Sequence, residues 1–156
     1  MLTSNTEDAV RSLEVTKDVV VAAPAAVVFA ALLDQMGPMS EMPDGTPFPM
    51  KIEPWPGGRW FRDLGNDTGH FWGHVQVIKP PGLLEICGPL FMSYPAVNFV
   101  QYRLTAEGSG TRLKVIHKAM GQISDEHREG VVEGWGHELE RVRRLAEERV
   151  GSGRRG

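Results

Sequence analysis

The C-terminal part of the chain carries one long amphipathic pattern, and this pattern constrains the fold more than any other feature. Ser124 is placed to cap a helix that runs to about Arg149, and acidic residues follow it near the positive helix end. Apolar residues then recur at intervals of three and four: Val131, Val132, Trp135, Leu139, Val142, Leu145 and Ala146. At 100° per residue they form one stripe. A helix with such a stripe has to bury it against another element.

The preceding segment predicts that this element is a β-sheet. Six stretches have strand composition: 48–53, 59–63, 71–79, 83–87, 97–107 and 112–118. Their connections contain Pro-Gly-Gly, Gly-Asn-Asp, Pro-Pro-Gly and Gly-Ser-Gly, which are typical of turns. Because short connections join antiparallel neighbours, the pattern predicts an antiparallel meander.

The N-terminal part adds one strand and one helix. Leu13 to Val21 is β-branched and partly alternating, and Pro24 can start a helix that ends near Asp34. The predicted order is strand, helix, six strands and a long helix, which is an α+β fold. The last helix is the element long enough to cover the sheet. We predict a single domain over residues 12–150, with flexible ends at 1–11 and 151–156.

Composition narrows the functional classes. The 156 residues carry a net charge of −3, which argues against a nucleic-acid partner. The single cysteine, Cys87, cannot form an intrachain disulfide. The longest apolar run, Val19 to Leu33, is interrupted by Pro24 and is too short for a membrane span, and the N-terminus lacks signal-peptide features. We therefore expect a cytoplasmic protein without membrane insertion, and no cofactor or metal.

Several segments together resemble the helix-grip fold of the START-like (SRPBCC) superfamily. They are APAAVVFAAL at 23–32, PGGRW at 56–60, WGHV at 72–75, KPPGLLE at 79–85, GSGTRLKVIH at 108–117 and EGWGHELERV at 133–142. They are similar to the branch named after the activator of the ninety-kilodalton heat-shock protein ATPase. The resemblance implies a curved seven-stranded sheet that grips the long C-terminal helix, with a cavity between them. It implies no single activity, since relatives include lipid carriers, cyclases, oxygenase domains and the co-chaperone itself.

The leading functional hypothesis is non-enzymatic binding of a small, largely hydrophobic molecule in that cavity. Apolar lining with few polar groups is the usual character of such pockets. The predicted lining residues are Phe29, Leu33, Met50, Trp60, Val75, Tyr102, Val115, His117, Trp135 and Leu139.

His117 supports an alternative hypothesis, an enzyme. It alternates with Leu113 and Val115 on the more apolar strand face, so it points inward. An inward histidine is most often a hydrogen-bonded structural group. It can also transfer protons near neutral pH, with Tyr102, on a bound carbonyl or aromatic compound.

Other features have competing interpretations. Gly134 and Gly136 flank Trp135, which favours close packing of helix and sheet, while Trp135 forms a cavity wall. His70 and His74 lie on one strand too far apart to chelate a metal alone. Glu133 and His137 have helical spacing but fall opposite Trp135, on the predicted solvated side.

Two loops are more apolar than plain connections. Residues 36–42 contain three methionines, and residues 88–96 contain Leu90, Phe91, Met92 and Tyr94. They are interpreted equally well as a lid over the cavity or as a homodimer contact. A co-chaperone or other protein-binding role is the third hypothesis. The family name and the apolar loops suggest it, and it ranks last because that name comes from relatives with additional domains.

Overall fold

A computed structural model describes residues 9–153 as a seven-stranded antiparallel sheet with two helices. The elements are β1 (Arg11–Val21), α1 (Ala25–Met36), β2 (Lys51–Ile52), β3 (Arg59–Gly65), β4 (Thr68–Lys79), β5 (Leu83–Gly88), β6 (Ala96–Glu107), β7 (Gly110–Gly121) and α2 (Asp125–Gly153). The strand order is β1-β7-β6-β5-β4-β3-β2. The predicted α+β helix-grip fold, with a curved sheet and a long C-terminal helix, is confirmed.

The element bounds differ from the predictions mainly at the ends. β2 has two residues instead of six, because prolines on both sides of it withhold backbone donors from the sheet. β7 is longer than predicted; it pairs with β6 along its whole length and with β1 over residues 111–121. α2 continues to Gly153, so residues 151–153 of the predicted flexible tail are helical, and Arg11 of the predicted flexible N-terminus already lies in β1. The remaining predictions of flexibility for residues 1–8 and 154–156 lie outside the described residues.

The core lies between the sheet and the apolar stripe of α2. The stripe is buried, as are the inward residues of the central strands: Val131, Trp135, Leu139, Val142, Leu145, Val100, Tyr102, Leu113, Val115 and Ile86. α1 packs against α2 at one end. There Arg149 donates a hydrogen bond of 2.5 Å to Asp34.

A β-bulge changes the direction of side chains in β4. Trp60 pairs with Gly73 but the next residue, Phe61, pairs with Phe71, so Trp72 is the extra residue. A bulge places two residues opposite one and turns the strand. Regular alternation from buried Gly73 and Val75 would point Trp72 outward, whereas the bulge brings it to the inner face beside Trp60. Gly73 itself has no room for a side chain, because an added Cβ would lie 2.6 Å from the Cys87 carbonyl oxygen.

Candidate ligand cavity

A cavity of about 480 Å³ lies between α2 and the β3–β4 part of the sheet. Loop 37–50, loop 89–95 and Gln35 at the end of α1 form its remaining walls. The lining residues are Gln35, Ser40, Glu41, Met42, Pro43, Phe48, Trp60, Trp72, Phe91, His127, Gly130, Val131, Gly134, Trp135, His137 and Glu138. Its size falls in the range of small-molecule pockets, which is about 300–1,000 Å³.

Five aromatic rings line the cavity and form a connected series of contacts. Trp72 is central, with its ring centroid 5.0 Å from that of Trp60, 6.2 Å from that of Phe48 and 5.6 Å from that of Phe91. Phe91 also lies 6.4 Å from Trp135. Trp60 is oriented by a hydrogen bond of 2.7 Å from its indole N–H to the Met36 carbonyl oxygen. The sequence left open which faces of β3 and β4 point inward. The structure places Trp60 of β3 and Trp72 of β4 in the cavity lining.

Glu138 brings a carboxyl group into this apolar wall. It lies three residues after Trp135 on α2, and its Oε1 accepts a hydrogen bond of 2.6 Å from the Tyr102 hydroxyl on β6. Burial raises the pKa of Glu138 from 4.5 to about 7, because the surroundings penalise the charged form more than the Tyr102 hydrogen bond stabilises it. Burial and the neighbouring carboxyl also raise the pKa of Tyr102. Near neutral pH, Glu138 therefore exchanges between a hydrogen-bond donor and an anion.

A second set of buried polar groups lies beneath Trp135 and is fully paired. The Trp135 indole N–H donates to His117 Nδ1 at 3.0 Å, and His117 Nε2 lies 2.7 Å from Asn98 Oδ1. The Asn98 amide in turn donates to the Pro89 carbonyl oxygen at 3.2 Å. Because Nδ1 accepts, the proton of the neutral ring is on Nε2, which donates to Asn98.

This network keeps His117 neutral. Burial, and to a smaller extent the nearby His127, lower the pKa of His117 from 6.5 to about 4. The side chain has no exposed surface, and both ring nitrogens are used inside the protein. The geometry therefore gives His117 a structural part, and its acid–base role stays a prediction.

The structure brings two of the predicted lining residues, Trp60 and Trp135, to the cavity. Seven others are buried in the core and Leu33 is partly buried against it: Phe29, Leu33, Met50, Val75, Tyr102, Val115, His117 and Leu139. None of these eight is among the lining residues, although Tyr102 reaches the cavity wall through Glu138. The core half of the sheet is packed, and the open space lies over β3 and β4.

The prediction that α2 packs closely against the sheet at its glycines is wrong. A Cβ added to Gly134 or Gly136 would meet nothing within 4 Å, and the same holds for Gly130. Gly130 and Gly134 instead line the cavity, four residues apart on one side of the helix. Their missing side chains leave room in the cavity.

His137 was expected on the solvated side of α2 and is instead half-buried at the cavity wall. Loop 37–50 folds over this flank of the helix. Its Glu41 lies 3.4 Å from Arg141 and 3.9 Å from Arg144. The residue pattern of α2 by itself does not indicate that a distant loop covers one side of the helix.

Glu138 was missed although the helical wheel contained a signal for it. A residue three positions after Trp135 lies only about 60° from it and therefore falls within the buried half of the helix. A carboxyl group there needs a hydrogen-bond partner or a function.

The two apolar loops contribute directly to the cavity. Met42 and Phe91 line it while remaining partly exposed, at 43% and 38% of their surface. Met36, Leu90 and Met92 are buried in the core. A lid is consistent with this placement, and the homodimer contact through residues 36–42 and 88–96 stays a prediction.

Across residues 9–153, no three His, Cys, Asp or Glu side chains are grouped so that they could hold a metal ion. In the same part of the chain, neither helix combines the length and apolar character needed to cross a bilayer.

Residues 22–147 match the family described as Activator of Hsp90 ATPase homolog 1-like protein. The chain belongs to this family. The match spans most of the sequence and confirms the resemblance to the START-like superfamily. The comparison with curated proteins found no match.

Solved structures repeat the fold. An AHSA1-like protein from Rhizobium etli, solved by NMR, is 28% identical, with 88% of this chain and 83% of that chain covered and a TM-score of 0.58. An uncharacterized protein from Rhizobium leguminosarum is 16% identical over 90% of this chain and 97% of that chain, with a TM-score of 0.69. The di-domain ARO/CYC StfQ from the steffimycin biosynthetic pathway is 12% identical, with 90% of this chain and 52% of that chain covered and a TM-score of 0.63. The last two likenesses show the fold alone.

Proposed function

We propose that this protein binds a small, largely apolar molecule in the cavity between α2 and the β3–β4 part of the sheet, without catalysing a reaction. The observation that carries the proposal is the cavity of about 480 Å³ walled by the rings of Phe48, Trp60, Trp72, Phe91 and Trp135. Aromatic side chains provide large apolar contact areas with defined geometry. A small molecule stacked among them would bury most of its surface.

The arrangement of rigid and adaptable walls also favours a ligand site. Trp60 is held by its hydrogen bond to Met36, and Trp135 by its hydrogen bond to His117. Met42 is exposed on loop 37–50 and can adapt to different apolar shapes. The fixed rings on the sheet and helix would orient an apolar ligand, and the methionine on the loop would adapt to its shape.

Intrinsic tryptophan fluorescence provides a direct test, because three of the four tryptophans line the cavity. Titration of a panel of apolar aromatic and aliphatic molecules is expected to change the emission, and native mass spectrometry should show a one-to-one complex. Trp72→Phe should reduce the fluorescence change while retaining binding. Trp55→Phe is the matched control, because Trp55 is 54% exposed and lies outside the cavity lining.

The ligand is expected to bind next to Trp72 in the cavity and not next to Trp55 on the surface. A ligand-induced change that disappears in Trp55→Phe and persists in Trp72→Phe would contradict it. So would the absence of binding by every molecule of the panel.

Glu138 favours a second candidate function, acid–base catalysis on a cavity-bound carbonyl or aromatic compound. A pKa near 7 is suited to proton transfer at neutral pH, and the carboxyl lies in the cavity wall with Tyr102 behind it. In this form of the alternative, Glu138 transfers the proton and Tyr102 positions it. Turnover of a bound substrate that is abolished in Glu138→Gln while substrate binding is retained would support it, and unchanged turnover would contradict it. The co-chaperone hypothesis stays a prediction.

A further inference from the structure

We infer that the cavity selects an organic amine, a small molecule with an apolar body and a positively charged nitrogen. This inference rests on the proposed binding function and names the ligand class for that same cavity. Three observations support it: the signs of the charges in the lining, the faces of the aromatic rings, and the position of Glu138.

The lining is acidic. Of the sixteen lining residues, two are acidic, Glu41 and Glu138, and there is no lysine or arginine among them. Two histidines also contribute, and burial lowers the pKa of one of them, His127, which favours its neutral form. A carboxylate ligand would meet like charge in this largely apolar cavity, whereas an ammonium would meet the opposite charge.

The aromatic walls favour the same sign. The face of an aromatic ring carries the negative part of its quadrupole and attracts cations, tryptophan most strongly. Three tryptophans and two phenylalanines line this cavity. One face of Phe48 is already occupied, since the Arg62 guanidinium lies 3.6 Å from the centroid of its ring, so the tryptophan faces are the ones expected to receive the ligand nitrogen.

Glu138 is the anchor for the charged nitrogen. Tyr102 occupies its Oε1 from behind and holds the carboxyl in place. Glu41 is the weaker candidate, because it already lies 3.4 Å from Arg141 and 3.9 Å from Arg144. An ammonium bound beside Glu138 would favour the carboxylate over the protonated form.

Gln35 brings an unpartnered hydrogen-bond acceptor to the same cavity. This side chain is 95% buried, and its Oε1 has no hydrogen-bond partner in residues 9–153. A buried acceptor without a partner is costly, and a ligand N–H group is the kind of group that would satisfy it.

Three ligands with one apolar body test the inference: naphthylmethylamine, naphthylmethanol and naphthoate. In calorimetric titrations at low salt and about pH 8, where the carboxyl is mostly ionised, we expect the amine to bind about tenfold more tightly than the alcohol. Naphthoate should bind most weakly. Glu138→Gln keeps an acceptor for Tyr102 and should remove the advantage of the amine, so that the amine and the alcohol bind within about twofold of each other. Glu133→Gln is the matched control, since Glu133 is exposed on the same helix and outside the lining.

The outcomes separate the two proposals. Equal binding of the amine and the alcohol, or tighter binding of naphthoate, would overturn the selection of amines and leave the binding function intact. If neither the three naphthyl compounds nor any panel molecule binds, the binding function itself fails.

Discussion

The two halves of the sheet meet the long helix in different ways. Over β1 and β5–β7 the space under α2 is filled by aliphatic side chains such as Val100, Leu113 and Val115, which have no exposed surface. Over β3 and β4 the facing residues are tryptophans, the helix carries glycines instead of side chains, and a cavity of about 480 Å³ is left. One part of α2 therefore packs against the core, and another part forms a wall of the cavity.

The polar groups differ between the halves in the same way. His117 lies in the packed half with both ring nitrogens hydrogen-bonded, to Trp135 and Asn98. Glu138 lies in the open half with one hydrogen bond, from Tyr102, and a pKa raised by burial. A buried polar group that is fully paired supports structure, whereas one with remaining capacity can act on a ligand.

The largest effect is expected from breaking the paired half with His117→Ala. This change removes a fully buried ring and leaves the indole N–H of Trp135 and the Oδ1 of Asn98 without partners. We expect a loss of about 3–4 kcal/mol in the free energy of unfolding, measured by urea denaturation.

Lys118→Ala is the matched control, because Lys118 is next to His117 in the sequence and its side chain is exposed. This variant should change the free energy of unfolding by about 0.5 kcal/mol or less. A loss below about 1 kcal/mol in His117→Ala would show that the buried network is not a stabilising element.

An intermediate effect is expected from Glu138→Gln, and it depends on pH. The pKa of Glu138 is raised from 4.5 to about 7, so the folded protein binds this proton more tightly than the unfolded chain. The stability from this group is complete below pH 4.5 and is lost as pH rises through 7. Relative to Glu138→Gln, the natural protein should therefore lose about 2 kcal/mol between about pH 5.5 and pH 8.5.

Urea denaturation of both proteins at the two pH values measures this difference. The opposite contribution of His117, whose pKa is lowered, is common to both proteins and cancels. A pH-independent difference between the two proteins would contradict the assignment of a raised pKa to Glu138.

The smallest effect on stability is expected from alanine at two helix glycines, Gly134 and Gly136, and the two variants should differ in ligand binding. An added Cβ meets nothing within 4 Å at either position, so alanine should stabilise the helix by about 0.5–1 kcal/mol in both variants. Only Gly134 lines the cavity, so Gly134→Ala should also weaken ligand binding while Gly136→Ala should not. Thermal denaturation and the fluorescence titration measure the two effects. Equal ligand affinities in both variants would place the ligand away from this face of α2.

Sequence patterns were sufficient for the elements and their order. The three- and four-residue spacing of apolar positions in α2 and the turn residues between strands depend on neighbours a few positions apart, and these local signals predicted the strands and both helices. The inward face of β7 also followed from alternation, including the burial of His117. β2 was overestimated because its local composition was strand-like while its prolines limit pairing.

The cavity depended on contacts between distant parts of the chain. The bulge at Trp72 shifted one side chain to the inner face against regular alternation, and loop 37–50 covered the flank of α2 next to His137. Glu138 was identifiable as inward, but its partner Tyr102 lies 36 positions away. By itself the sequence determined the α+β order, the grip of a sheet on a C-terminal helix and the family. Tertiary structure alone decided which half of the sheet stays unfilled, because the space left between elements depends on how their side chains meet and not on the pattern within any one of them.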